Sequence, residues 1–361
     1  MAAVEPFRAV RYTGAAGPLA DLVAPPYDAV TPAERDRLVA RSPYNVLRLT
    51  LPDSADQAGR LYRDWLEEGI LAREDEPAAW LLVDSYVGPD GVERDRRGLV
   101  VSLPAEPYES GRVLPHERTD LATRDERVRL LRATGAQPEP IFLLHEGRLD
   151  VEPPDRAPDL VANGSQLWRL GDHDPGGLSR APLLVADGHH RYESAIELGR
   201  QLGGDGVRIM ALVVSTEDPG LHVFPTHRLF SGRPDLAQPG EGERVDGVSE
   251  ALAALAELPF DRAATVAYRA GGAAELIEGE PGELDVALVD RSGLEGISYT
   301  PDTEAAIAAV DRGDADVAFL LREPRVEDVF AVARRGELMP PKSTYFFPKP
   351  LSGLLFHPLQ P

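Results

Sequence analysis

The sequence predicts a mixed α/β (α+β) protein of two domains. A chain of 361 residues exceeds what one hydrophobic core usually serves, because domains run to about 100–200 residues. Near the middle, Leu183-Leu184-Val185-Ala186 reads as a short buried strand. Tyr192, Ala195, Ile196 and Leu198 then fall at helical spacing over 192–202, and 208–214 reads as a second strand. That strand, helix and strand form one compact α/β unit. Past a Pro- and Gly-rich stretch at 231–244, helices at 248–256, 303–311 and 326–335 alternate with strands near Thr265, Asp285, Gly296 and Asp316. The alternation indicates a second α/β layer. The expected domains are 1–235 and 236–361, the second contributing the segment that carries Lys342.

The remaining elements follow from local signals. Thr31 before Pro32, with Glu34 in the first turn, is an N-cap for a helix over 32–40. A second amphipathic helix over 56–68 places Ala58, Leu61, Trp65 and Leu66 on one side. Segments 80–86 and 98–103 flank Gly88-Pro89-Asp90-Gly91, whose Asp-Gly step suits a β-hairpin. A helix at 122–133 and a strand at 140–144 come next, and 152–159 is a surface loop rich in Pro and Asp.

Composition narrows the function. A formal charge of −22 argues against non-specific binding to nucleic acid or an anionic membrane, since both are held through surplus positive charge. No stretch approaches the roughly 20 apolar residues of a membrane span. The Met1-Ala2-Ala3-Val4-Glu5-Pro6 start has neither the basic nor the apolar region of a secretory leader. A cytoplasmic location is expected, and the absence of cysteine removes disulfides, thiolate nucleophiles and cysteine-based metal sites. Of 38 basic residues only Lys342 and Lys349 are lysine. A lysine surviving such arginine bias points to a need for a compact ammonium that a planar guanidinium cannot imitate. Lys342 is the expected case; Lys349 is assigned to a solvated loop.

Four segments can carry chemistry. In Asp187-Gly188-His189-His190-Arg191 a glycine sits at a strand-to-helix turn, where backbone can approach a ligand and free N–H groups attract an anion. Arg191 suits bidentate phosphate binding, and His189 or His190 can donate a proton near neutral pH. His116-Glu117-Arg118-Thr119 places an acid beside a base: Glu117 serves as general base or Mg²⁺ ligand, or else the tract simply opens a helix. Thr226-His227-Arg228 brings a third imidazole and second guanidinium to the same mouth. Lys342-Ser343-Thr344 has the Lys-Ser/Thr end of a phosphate loop without its glycines.

The box Gly188-His189-His190-Arg191-Tyr192-Glu193-Ser194-Ala195 resembles the one at the strand-to-helix turn of the ParB/sulfiredoxin superfamily. That resemblance implies nucleotide-phosphate contacts at Gly188, His190 and Arg191. His189 stands where sulfiredoxins carry cysteine, so their redox chemistry does not transfer. Over nearly the whole chain, Pro25-Pro26-Tyr27-Asp28, Asn45-Val46-Leu47-Arg48-Leu49, His116-Glu117-Arg118-Thr119, the Asp187 box, Pro225-Thr226-His227-Arg228 and Met339-Pro340-Pro341-Lys342-Ser343-Thr344-Tyr345-Phe346 resemble the domain of unknown function 1015 family. The resemblance implies a family without implying a reaction.

The expected function is nucleotide-dependent phosphoryl transfer, from ATP or ADP with Mg²⁺, to a small hydroxylated metabolite such as serine. Serine rests on the resemblance alone. Glu117, Asp187 and His189 are the expected catalytic residues, with Glu117 and Asp187 toward the metal. Gly188, His190, Arg191, Lys342, Ser343 and Thr344 would hold phosphate or nucleotide. His116, Arg118, Thr226, His227, Arg228 and Asn45 would hold substrate. Two alternatives stand beside it: a non-catalytic nucleotide or metabolite sensor, and a metal-dependent hydrolase ligated by His116, Glu117, Asp187, His189, His190 or His227.

Overall fold

A computed structural model describes residues 4–203, 207–238, 240 and 242–359. The Met1-Ala2-Ala3 part of the leader reading, and positions 239 and 241 of the 231–244 stretch, lie outside them.

The expected helices form where the caps place them. Pro32–Val39 carries a full capping box between Thr31 and Glu34. Ala55–Glu67 starts on the Ser54 side chain, and Leu121–Thr134 runs from an Asp120 cap to a left-handed Gly135. The hairpin pairs Ala79–Val87 with Glu93–Pro104, antiparallel.

These elements build an eight-stranded mixed sheet. Its order is Val113–Leu114, Leu183–Asp187, Ile141–His145, Arg208–Ser215, Glu93–Pro104, Ala79–Val87, Ser165–Leu170 and Leu160–Ala162. Here the strand–helix–strand expectation needs refinement. Leu183–Asp187 and Arg208–Ser215 are not neighbours; Ile141–His145 lies between them, antiparallel to the first and parallel to the second. Val128, Leu131, Tyr192, Ala195 and Leu198 of the two helices Leu121–Thr134 and His189–Leu202 cover one face of the sheet. On the other face Val329, Phe330, Val332 and Ala333 pack against Phe142, Leu144, Met210 and Leu212. The helix Val326–Arg334, late in the chain, thus returns to the first sheet.

A second sheet of six strands has the order Glu243–Val245, Ala273–Pro281, Arg262–Arg269, Val317–Leu320, His227–Phe230 and Ile297–Thr300, with every neighbouring pair antiparallel. The strand expected near Asp285 is instead the helix Asp285–Asp290. Its Val286 and Val289, three apart, turn to one buried side, and an aspartate in the first turn suits the helix dipole. Short pairs finish the fold: Val10–Tyr12 with Leu71–Arg73, His222–Phe224 with Tyr345–Phe347, and His357–Pro358 with Ala136–Gln137. Among the described residues, no helix is long and apolar enough to cross a membrane.

Candidate active site

Between the two sheets lies a cleft of about 680 Å³. The strand Leu183–Asp187 ends at its floor, and Gly188 turns the chain into the helix His189–Leu202 with φ +95°. A Cβ there would stand 2.9 Å from Ile141 Cγ2 and 3.1 Å from Arg191 Cζ, so both the angle and the space demand glycine. No side chain caps this helix, and its first residues, Gly188 to Arg191, line the cleft.

Asp187 organises the floor. Arg191 Nη2 donates to its Oδ2 at 2.5 Å, and Lys349 Nζ stands 2.8 Å from Oδ1. Burial pushes the carboxyl up, yet Lys349 and Arg191, with Lys342 farther away, bring it below its ordinary value. Lys349 also reaches Asp28 Oδ2 at 2.6 Å. Burial pulls the ammonium's pKa down, but Asp187 and Asp28 outweigh it and hold it well above the lysine range. Lys349 is therefore no solvated loop residue; it bridges two carboxylates in the floor.

Arg191 is occupied as well. Nη1 donates to the Pro140 carbonyl at 2.6 Å and lies 3.6 Å from Glu139 Oε2, leaving the guanidinium about nine-tenths buried. Its contacts are those of a residue that positions Asp187, not the bidentate phosphate clamp expected of it.

Glu117, Arg118, His190, Thr226, Lys342 and Thr344 also line the cleft. Burial, opposed by Lys342, raises the Glu117 carboxyl above its ordinary value. Arg118 and Lys342 are exposed at the rim, and their head groups make no hydrogen bond or ion pair among the described residues. His190 Nε2 lies 3.0 Å from Asp120 Oδ2 and 3.1 Å from the Asp120 N, which ties its ring to the neighbouring helix start. Thr344 Oγ1 lies 3.0 Å from His116 Nε2.

Most of the remaining expected residues stand behind the wall. His116 is fully buried, Nδ1 donating to the Val185 carbonyl at 2.7 Å, and burial pulls its pKa to about 4. His189 borders the cleft, but its Nε2 accepts from the His116 N–H at 3.4 Å, and burial drives its pKa well below the imidazole range. His227 accepts the Leu321 N–H and contacts Thr303; burial brings it to about 4. Arg228, fully buried, donates to the carbonyls of Thr226, Pro341 and Lys342 and pairs with Asp290. Ser343 bonds the Pro340 carbonyl, and Asn45 caps its own turn through the Asp21 carbonyl and Leu47 N–H. These contacts hold structure, so His227, Arg228, Asn45 and Ser343 do not face the cleft. Among the described residues no three histidines, aspartates and glutamates gather as a metal-holding group.

The family model described as "Protein of unknown function (DUF1015)" matches residues 4–281. The chain belongs to this family. The ADP-dependent L-serine kinase SerK of Thermococcus kodakarensis is 25% identical to it over 195 residues, 52% of this chain and 75% of the kinase. Among solved structures, a free serine kinase in complex with AMP shares 16% identity at a TM-score of 0.39, covering 68% of this chain and 86% of that one. SbnI from Staphylococcus aureus, with C-terminal truncation, shares 13% identity at a TM-score of 0.39, covering 68% of this chain and 82% of that one. Within this DUF1015 member, the cleft residues Tyr299, Thr300, Lys342 and Lys349 lie beyond the matched span.

Sequence reasoning passed over several cleft residues. Asp28 lay in the quoted Pro25-Pro26-Tyr27-Asp28 motif without a role. Tyr27, under the Arg127 guanidinium at 4.2 Å, has its hydroxyl pushed to about 12, chiefly by burial. Glu139, behind the cleft, had no local signal, since nothing in its neighbours foretells the contact with Arg191. Tyr299 lies on a strand that was expected near Gly296 but was given no function.

Proposed function

We propose that this chain is a nucleotide-dependent phosphotransferase acting on a small hydroxylated metabolite, with L-serine as first candidate. The observation that carries the reading is the uncapped start of the His189–Leu202 helix, opening into a cleft beside the free cations Lys342 and Arg118 and the Glu117 carboxyl. An anion at such a helix start gains both the N–H groups and the dipole. The likeness to an ADP-dependent L-serine kinase supports a nucleoside phosphate as donor and serine as acceptor.

In this reading Gly188 lets backbone approach the phosphates, His189 and His190 offer N–H groups, and Lys342 and Arg118 meet the charge of the transferring group. Glu117 takes the proton from the acceptor hydroxyl as its oxygen bonds to phosphorus; the bond to the bridging oxygen breaks, and the leaving nucleotide keeps the electron pair. A carboxylate held above its ordinary value suits that task. The residues present also fit Mg²⁺ arriving on the phosphates, which needs one or two protein carboxylates. Glu117 would hold it, with Asp28 beside it, and the ion would neutralise phosphate charge. Asp187, expected as a metal ligand, already has both oxygens bonded. A cytoplasmic small-molecule enzyme is the setting proposed.

The test is direct: incubate the protein with L-serine and either ADP or ATP, with and without Mg²⁺, and measure O-phosphoserine. Product is expected, falling by about 10²–10⁴-fold in Glu117→Gln. Nucleotide binding without product, unchanged by Glu117→Gln, would favour the sensor and defeat the kinase reading.

A further inference from the structure

The geometry points to a nucleoside subsite on the second sheet, where the Tyr299 ring stacks the base and Thr226 meets the ribose. This rests on the proposed nucleotide-dependent reading and extends it to Tyr299, which has no role above, and to Thr226, expected from the sequence to hold substrate. Tyr299 lies on the edge strand Ile297–Thr300, with 37% of its surface exposed, and lines the cleft. Behind it stands the Arg228 guanidinium, 5.5 Å from the ring centroid. Arg228 is locked by three carbonyls and Asp290, so the ring is held before any ligand arrives. One face has a fixed cation; the exposed side is available for a flat, polarisable partner.

The other cleft aromatics are already engaged. Tyr27 lies beneath Arg127, and Tyr345 and Phe347 pack on each other with centroids 5.7 Å apart. A second observation points to a ligand at the same wall. Thr226 is 94% buried yet its hydroxyl has no hydrogen-bond partner among the described residues. Buried hydroxyls are seldom left unpaired; this one is closed off behind the cleft wall, and a sugar hydroxyl supplies the missing partner once the Thr226 side chain turns toward the cleft. Arg228 ties this wall to the phosphate end, since Nη1 donates to the carbonyls of both Thr226 and Lys342. Base, sugar and phosphates thus follow one another from the second sheet to the first. Stacking reads a ring face and not an edge, so adenine and guanine should bind alike.

The experiment is calorimetric titration of the full chain, with Mg²⁺, using ADP, GDP and pyrophosphate. Wild type is expected to bind ADP and GDP within about 5-fold of each other, and Tyr299→Leu to weaken both by about 10-fold or more while leaving pyrophosphate within about 2-fold. Tyr299→Phe, which keeps the ring, should retain both nucleotides, and Thr226→Val should weaken nucleotides alone. Unchanged ADP affinity in Tyr299→Leu overturns the subsite and leaves the kinase reading standing. An equal loss of ADP and pyrophosphate also overturns it, assigning Tyr299 to cleft shape. Failure of wild type to bind any of the three defeats the parent reading and the subsite together.

Discussion

Replacing Lys349 by methionine tests the floor of the cleft, because it removes the ammonium shared by Asp28 and Asp187. The two contacts are 2.6 and 2.8 Å. Breaking a buried ion pair by removing one partner costs about 3–5 kcal/mol. Here the Asp28 side chain is 39% exposed, so water screens that half, and Asp187 keeps Arg191; a loss of about 2–3 kcal/mol is expected. Urea unfolding at pH 7 and pH 3 measures it. In wild type the Asp187 carboxyl sits below its ordinary value, so its contribution is present at neutral pH and is lost as pH falls through that lowered pKa. Without Lys349 most of the lowering disappears, so the deficit of the variant should be full from pH 7 down to about pH 4 and shrink below it. Wild-type Lys349, its pKa raised, contributes fully across this window, since its share is lost only in strongly alkaline solution. A loss under about 1 kcal/mol, or one equal at both pH values, would refute the bridging role.

Arg191→Met takes the guanidinium from the Pro140 carbonyl and from the buried Glu139 carboxylate, which keeps only Ser352; a destabilisation of about 3–5 kcal/mol is expected by denaturation. It should ease at acid pH, where Glu139, already pushed up by burial, takes a proton. Gly188→Ala forces a side chain into a left-handed φ against Ile141 and should cost about 1–3 kcal/mol in the same assay. Lys342→Arg is expected to lose ADP affinity nearly as far as Lys342→Ala, a broad planar head fitting a point-charge site poorly; calorimetry with wild-type affinity in the arginine variant would remove Lys342 from the phosphate site.

Elements with local punctuation were legible in the sequence. Thr31-Pro32 and the Asp90-Gly91 step each set an end that the chain alone decides. The hairpin strand Ala273–Pro281 escaped notice although Gly271 and Gly272 both turn with positive φ, because a Glu-rich strand weakens the alternation that marks one. In the site, the motifs single out Glu117, Asp187, Gly188 and His190, and all four line the cleft. What sequence could not convey was depth. His116, His227 and Arg228 have the residue types of a site, and only packing shows that their polar atoms are committed to backbone. The two lysines divide on the same ground: spacing along the chain does not reveal that Lys349 falls between carboxylates brought from positions 28 and 187.

The segment bearing those lysines is moored at both ends to different sheets. Arg228, on the six-stranded sheet, grips the carbonyls of Pro341 and Lys342; Arg96, on the eight-stranded sheet, grips that of Pro348. The segment therefore behaves as a calliper. Any rocking of one sheet against the other alters the distance between the Lys342 ammonium at the rim and the floor that Lys349 bridges, so the reach of that one charge becomes a gauge of how far the jaws stand apart.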